Sequence, residues 1–383
     1  MLHTKTLAIV ALAAGVAIIT GCSSGTPQTS ATGTTSATDV SYAQSRVAQY
    51  SAAPDTKPAG PAFDASAAKG KTVWYIPLVA TVAPIQAISK NLERALGVAG
   101  VQVQQCDGKG TAVGWNSCIQ QAVAQKPDAI ILESITPDLV SASVQQAKDA
   151  GIPVLIDTAS DSTSPWQPAA AAQVSYDYTL GSQLVADWII ADSAGKANVL
   201  VIDTDDLSLK QAVTVDGYQA EFAAHCAGCS VTVDSVTSSA DWGTKVTPLV
   251  VAALTKDPTI DYVVAEYDPQ VPGVTAALAQ LDKKDSVKVA AFNASLEQMQ
   301  DLDAKNYVSV EVGSDQNSLG WAEADQVLRV MTGQAPVQRE ATGTRVFTSD
   351  TISSVDLTTD SFYSGQWYGN GFEADYRALW GLN

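Results

Sequence analysis

The sequence predicts an α/β protein of two lobes, each built on its own doubly wound parallel sheet. Three observations lead there. Apolar runs of strand length alternate with helical patterns from about Lys71 onward, and the alternation starts afresh near residue 197. The chain, 383 residues with 46% hydrophobic content, is long enough to bury two cores. No strict sequence repeat accompanies the second series, so what repeats is architecture. Two successive sheets leave a cleft between them, lined by residues at the carboxyl ends of the strands.

At the amino terminus, Lys5 precedes the uncharged run Leu7–Ile19, 13 residues long. A membrane-spanning helix needs roughly 20, so the run reads as the core of a signal peptide covering 1–21. Ile19-Thr20-Gly21 before Cys22 resembles the lipobox of bacterial lipoproteins. That resemblance implies cleavage before Cys22, lipid on its sulfur and amine, and a mature chain anchored outside the cell membrane. From Ser23 to about Val40 the chain is almost wholly Ser, Thr, Ala, Gly, Pro and Gln, a flexible tether. Residues 41–52 fit a short helix, and "PDTKPAGPAF" an extended strap. Tether and strap together cover 22–70, and the ordered core is expected to start near Lys71.

The first series then runs through strands at 71–79, 101–105, 129–133, 153–157 and 172–176. Between them, 84–100 places Ile85, Ile88, Leu92 and Leu96 on one helical face, and 113–125 and 137–150 behave alike. Gly151 closes the last of these helices and Pro153 opens the next strand. The second series has strands at 197–203, 230–236, 260–265, 287–292 and 307–312. Its helices lie near 209–224, 243–256, 270–283, 295–304 and 317–333. Strand–helix–strand units of this length require parallel sheets with right-handed crossovers.

With Cys22 given to the anchor, Cys106, Cys118, Cys226 and Cys229 remain. An exported chain favours disulfides, and of the three pairings the local one, Cys106–Cys118 with Cys226–Cys229, fits best. The rival is "HCAGC" (225–229) as a metal or redox site. Zinc wants about four N or S ligands, and His225 is the sole histidine left after cleavage. Neither a metal nor a cofactor is expected. Forty acidic against 22 basic residues give a net charge of −18. Nucleic acid, which demands clustered Lys and Arg, is excluded as a partner, and so is lying flat on anionic lipid.

"GIPVLIDTAS" (151–160), "VSYDYTLGSQLVADWI" (174–189), "VTVDGYQAEF" (213–222), "VVAEYDPQVPGVTAAL" (263–278), "VAAFNAS" (289–295) and "DQVLRVMTG" (325–333) fall in a telling order. It resembles that of type I periplasmic binding proteins, the ribose- and galactose-type solute receptors of ABC importers. The cysteine pairs, the proline strap and the closing "FEADYRALWGL" look like the lipoprotein branch of Gram-positive bacteria. The resemblance spans 71–383. It implies three crossings, near 175, 313 and 344, between an N-lobe (71–175 plus 314–343) and a C-lobe (176–313 plus 344–383, with the tail). It also implies a monomer that closes on one small solute and a permease as partner.

The family's contact positions fall here on Gln86, on Asp157 or Thr158, and on Asp177 and Tyr178 at the first crossing. Further along they fall on Thr214 and Asp216, on Tyr267 and Asp268, on Asn293, and on Ser314 or Asp315. Two departures count against a plain ribose site: Ala83, Pro84 and Ile85 replace polar and aromatic residues, and an arginine before "DGY" is missing. Sugars are held by carboxylate and amide groups that fork onto adjacent hydroxyls, with rings stacked on C–H faces. Asp157, Asp177, Asp205, Asp268, Asn293 and Gln86 suit the first role. Trp115, Trp166, Tyr176, Tyr178, Trp242 and Tyr267 suit the second. All six arginines fall outside the predicted cleft loops, which argues against an anionic solute. The expected ligand is a neutral sugar, with a cationic amine as alternative.

An enzyme is disfavoured. No Ser/His/Asp or Cys/His set can be built around one histidine, and neither GxGxxG nor GxxxxGK[ST] occurs. Paired carboxylates such as Asp205 and Asp206 suit acid–base work of the glycosidase kind, but adjacent acids at a strand end are more often solvated or hydrogen-bonded to ligand. A receptor that presents its solute to a membrane sensor would share the fold and the closing motion.

Overall fold

The computed structural model describes residues 34–338, 342–369 and 371–382. The expected signal peptide, Cys22 and the first part of the tether lie outside the described residues. The chain opens with α1 (Ala37–Tyr50), then β1 (Thr72–Pro77), α2 (Ala83–Val98), β2 (Gln102–Gln105), α3 (Ala112–Gln125), β3 (Ala129–Glu133), α4 (Ser141–Asp149), β4 (Val154–Asp157) and β5 (Ala172–Val174). The five strands form one parallel sheet in the order β2-β1-β3-β4-β5. α5 (Tyr178–Asp192) and β6 (Asn198–Thr204) follow. A π-helical stretch, Gln211–Gln219, then runs into α6 (Ala220–His225).

Next come β7 (Ser230–Val236), α7 (Trp242–Lys256), β8 (Tyr262–Ala265), α8 (Val271–Gln280), β9 (Lys288–Phe292), α9 (Leu296–Asp303) and β10 (Val308–Ser314). After α10 (Gln316–Thr332), β11 (Thr344–Thr348) joins the second sheet, whose order is β11-β10-β9-β8-β6-β7. β11 is its one antiparallel strand, a pairing the periodicity had not shown. Helices α11 (Thr359–Ser364) and α12 (Phe372–Leu379) end the chain.

The inner strands are buried along nearly their whole length, as in β3, where every residue is inaccessible, whereas the edge strand β2 is largely exposed. Such continuous apolar runs arise because helices cover both faces of a parallel sheet. The chain passes between lobes three times: from β5 to α5, which packs on β9 and β10; from β10 to α10, which packs on α2 and β5; and from α10 to β11. This is the two-lobed α/β layout that the sequence resemblance implies.

Both ends of the chain depart from the expected layout. Order begins well before Lys71. Ser36 Oγ accepts a hydrogen bond from Asp39 N (3.1 Å) and starts α1. α1 lies on α5 of the second lobe, fastened where Arg46 Nε meets Asp187 at 2.7 Å. Arg345 Nε of β11 still holds the strap to the second lobe at Ser51 O (2.9 Å), and the strap then leads to the first, where Phe63 N donates to Leu379 O (2.9 Å) and Ala65 N to Trp380 O (3.1 Å). The tail divides likewise. Trp367 and Tyr368 pack in the second lobe's core, whereas α12 packs on α10, with Trp380 stacked on Trp321 at 5.6 Å.

Cys106 is joined to Cys118, tying the end of β2 to α3, and Cys226 to Cys229 in the turn before β7. His225 stacks on Tyr42 with ring centroids 4.1 Å apart. Among the described residues no cluster of His, Cys, Asp and Glu is placed to hold a metal ion.

Arg329 holds the strap. Its Nε contacts Asp325 at 2.6 Å, one terminal nitrogen donates to Pro61 O (3.1 Å), and the guanidinium covers the Phe63 ring at 4.5 Å. Arg329→Met is expected to cost about 3–5 kcal/mol, because Asp325 stays buried after losing its cation. It should also expose the 51–65 strap to protease. Urea unfolding with limited proteolysis measures both, and an unchanged midpoint would refute the assignment.

Candidate functional site

Residues after β1, β3, β4, β6, β7, β8 and β9 converge on one cavity of about 370 Å³ between the lobes. The backbone is strained at three of these strand ends. Ser134 (φ +56°), Thr158 (+52°), Asn293 (+126°) and Ala294 (+53°) all lie in the positive-φ region that side chains disfavour.

Glu133, the last residue of β3, lines the cavity while buried to 1% exposure. Its Oε1 accepts from Ser134 Oγ (2.7 Å) and Thr158 Oγ1 (3.2 Å), whereas Oε2 has no partner in the protein. Burial raises its pKa to about 7, against the pull of those two hydroxyls.

The second lobe supplies rings. Trp242, its Nε1 fixed to Thr204 Oγ1 at 3.0 Å, is tilted against Tyr267 at 6.0 Å. Tyr267 meets Tyr178 edge-on at 6.4 Å, and Tyr178 donates from its hydroxyl to Thr158 O (3.3 Å). The hydroxyls of Tyr176 and Tyr267 are buried without partners. Two hydrogen bonds close the lobes on each other: Thr136 Oγ1 to Asp206 O (3.2 Å), and Ser208 Oγ to Ala159 O.

The sequence matches the family described as Periplasmic binding protein domain over residues 78–335. The chain belongs to the periplasmic binding proteins. Its family and its structural likenesses are solute-binding proteins, not enzymes. No curated protein matches the chain.

Similar solved structures include a 5-methylthioribose transporter solute-binding protein from Thermotoga lettingae, complexed with 5-methylthioribose. It is 18% identical with a TM-score of 0.67, over 82% of this chain and 98% of that one. A solute-binding protein from Agrobacterium vitis bound with α-D-tagatopyranose is 19% identical (TM-score 0.64, 74% and 96% covered). An ABC sugar transporter subunit from Rhodobacter sphaeroides is 20% identical (TM-score 0.61, 74% and 99% covered). No helix among the described residues is long and apolar enough to cross a membrane.

In this binding protein Thr158, Tyr178, Tyr267 and Asn293 line the cavity, as do Tyr176 and Trp242. The other sequence candidates lie elsewhere. Gln86 turns away and accepts from the Tyr363 hydroxyl (3.2 Å). Asp157 is buried against Glu323 and Glu133, beneath the cavity rather than in it. Asp177 caps α5 through Leu180 N (2.8 Å), and Asp205 is exposed and paired with Lys210 at 3.0 Å. Asp268 accepts from Ser295 N (2.6 Å) beside Glu311. Asp315 caps α10 through Asn317 N (3.0 Å) and Ser318 N (3.1 Å), next to the buried Ser314. Trp166 packs half-buried on the core, and Trp115 Nε1 donates to Leu78 O (3.1 Å).

Glu133 is the residue that sequence reasoning missed. The signal was there: it closes the apolar run "AIILE" at a strand's carboxyl end. None of the described arginines lines the cavity; the cation that does is Lys109, exposed on the disulfide-bound loop.

Burial also raises Asp268 to about 6 and Asp315 to about 7. Like Glu133, each holds its proton more tightly folded than unfolded. Stability present below the ordinary carboxyl range is therefore lost as pH rises through about 6 to 7. The solute-free protein is expected to melt higher at about pH 5 than at about pH 8, as scanning fluorimetry would read; the reverse order would contradict these shifts.

Proposed function

We propose that this chain is the receptor of an ABC-type importer, taking up one small neutral polar solute of sugar size and delivering it to a permease. The observation that carries this reading is the cavity between the lobes. Glu133, Tyr176 and Tyr267 line it, each has a buried side-chain oxygen without a partner in the protein, and a ligand's hydroxyls would satisfy them. Rings of Tyr178, Tyr267 and Trp242 offer faces for sugar C–H groups. Thr158, Tyr178, Tyr267 and Asn293 are the contacts we propose, with Glu133 as the principal acceptor. The likeness to receptors solved with tagatose and 5-methylthioribose supports the same class. Anchoring through a lipidated Cys22 belongs to this proposal. A direct test of it is Cys22→Ala, which should release the protein into the medium; retention at the membrane would sink the anchor.

Glu133 beside aromatic faces also favours a second reading, a cationic amine. The same closing motion would serve a membrane sensor, and loss of uptake on deleting the gene separates import from sensing. Thermal-shift screening against sugars, amines and organic acids at low and high salt decides the ligand class. A neutral sugar should stabilise the protein with little salt dependence, whereas an amine should weaken as salt rises. Glu133→Gln should lower affinity by about 1–3 kcal/mol, more for a charged ligand. Stabilisation by organic acids alone would refute both readings.

A further inference from the structure

The part of the cavity wall that makes no polar contact is as informative as the part that does. At the start of α2 the wall is Val82, Pro84 and Ile85, preceded by Leu78 and Val79 at the end of β1. The one polar side chain on that turn, Gln86, is engaged with Tyr363 outside the cavity. Pro84 lacks an N–H, and Val82 stands at the helix N-cap, a position usually given to a polar side chain. Leu207, Leu209 and Trp242 extend the apolar lining from the other lobe. A bare polyol closed in this cavity would press hydroxyls against a wall that offers them no partner, which opposes binding.

We propose that the solute is amphiphilic: a compact polar head held at Glu133, Ser134, Thr158 and Asn293, carrying an apolar substituent packed on Val79, Val82, Ile85, Leu207 and Leu209. This rests on the solute-receptor reading above and narrows its ligand. The two ends of the ligand meet different parts of the same cavity. The head satisfies the unpartnered carboxylate oxygen. The substituent removes apolar wall from water when the lobes close, so it strengthens the closed state over the open one.

Calorimetric titration of the mature chain with matched series tests this: free sugars with their methyl, propyl and phenyl glycosides, and alkyl amines of rising length. Affinity in the series that binds should climb about fourfold per added methylene until the cavity is filled. Val82→Ser should flatten that climb while keeping the fold, since serine is a good N-cap. Free sugars binding as tightly as their glycosides would overturn the inference and leave the sugar reading intact. Amines that climb while sugars stay silent would do the opposite. Silence of every series, or a climb unchanged in Val82→Ser, overturns the inference as well.

Discussion

The close approach of α10 to α2 at Gly320 is the contact on which the site depends. A Cβ there would stand 2.6 Å from Ile88 O and 2.8 Å from Leu92 N, so only glycine lets the two backbones meet. Asn91 Nδ2 reinforces the pair by donating to Asn317 Oδ1 at 2.6 Å. With α2 fixed in this way, its first turn carries Val82 and Ile85 into the cavity. α10 is itself buried from Gln316 to Arg329. It brings Glu323 under Asp157 and Trp321 onto Trp380, and through Arg329 it holds the strap. The hinge, the cavity wall and the amino-terminal segment thus share one helix.

That burial has an electrostatic consequence. Glu133, Asp157 and Glu323 are inaccessible and raised first of all by desolvation; the charges of Glu323 and Glu133 raise Asp157 further, and that of Glu133 raises Glu323. Asp268 and Glu311 form a second buried pair in the other lobe, where desolvation raises both and Asp268 raises Glu311 further. A carboxyl raised in this way, as Glu133 is to about 7, can donate when protonated as well as accept. Glu133, Asp157 and Asp268 lie at or just beyond the carboxyl ends of strands, whereas Glu323 lies on α10 and Glu311 within β10. Glu133 differs from the rest because it reaches the cavity itself.

How far the sequence could be read follows from the same geometry. Both sheets were legible because strands covered on two faces carry unbroken apolar runs, "AIILE" being the plainest. α1 was legible only over 41–52: Ala43, Val47 and Tyr50 make its buried stripe, and its first turn is held by Ser36, a cap inside a Ser/Thr-rich stretch that looks like tether. In the site, two of the candidates that miss the cavity stand one residue from candidates that line it. Thr158 and Tyr267 face the cavity, whereas their neighbours Asp157 and Asp268 face inward. Successive side chains leave a strand on opposite sides, and no periodicity decides which of two adjacent polar residues looks into a cleft. The apolar wall was hidden for another reason. Ile85 satisfies a helical stripe, so its pattern is the same whether it covers core or ligand.

Strap and tail change what closure involves. The three crossings join the lobes, but α1 sits on the second lobe and residue 63 on the first, so the strap joins them again. The tail does so a further time, from Trp367 and Tyr368 in one core to Trp380 against the other. Hinge rotation therefore deforms five segments. Pro54 packs beside Gly343 at the third crossing, where a Cβ would come within 2.3 Å of its ring. Stiffening of this kind narrows the range of open states without favouring closure. The bias toward the closed form must then come from contacts that exist only when the lobes meet. Those are the Thr136–Asp206 and Ser208–Ala159 hydrogen bonds at the rim, and between them the solute, which alone can reach Glu133 from the cavity side.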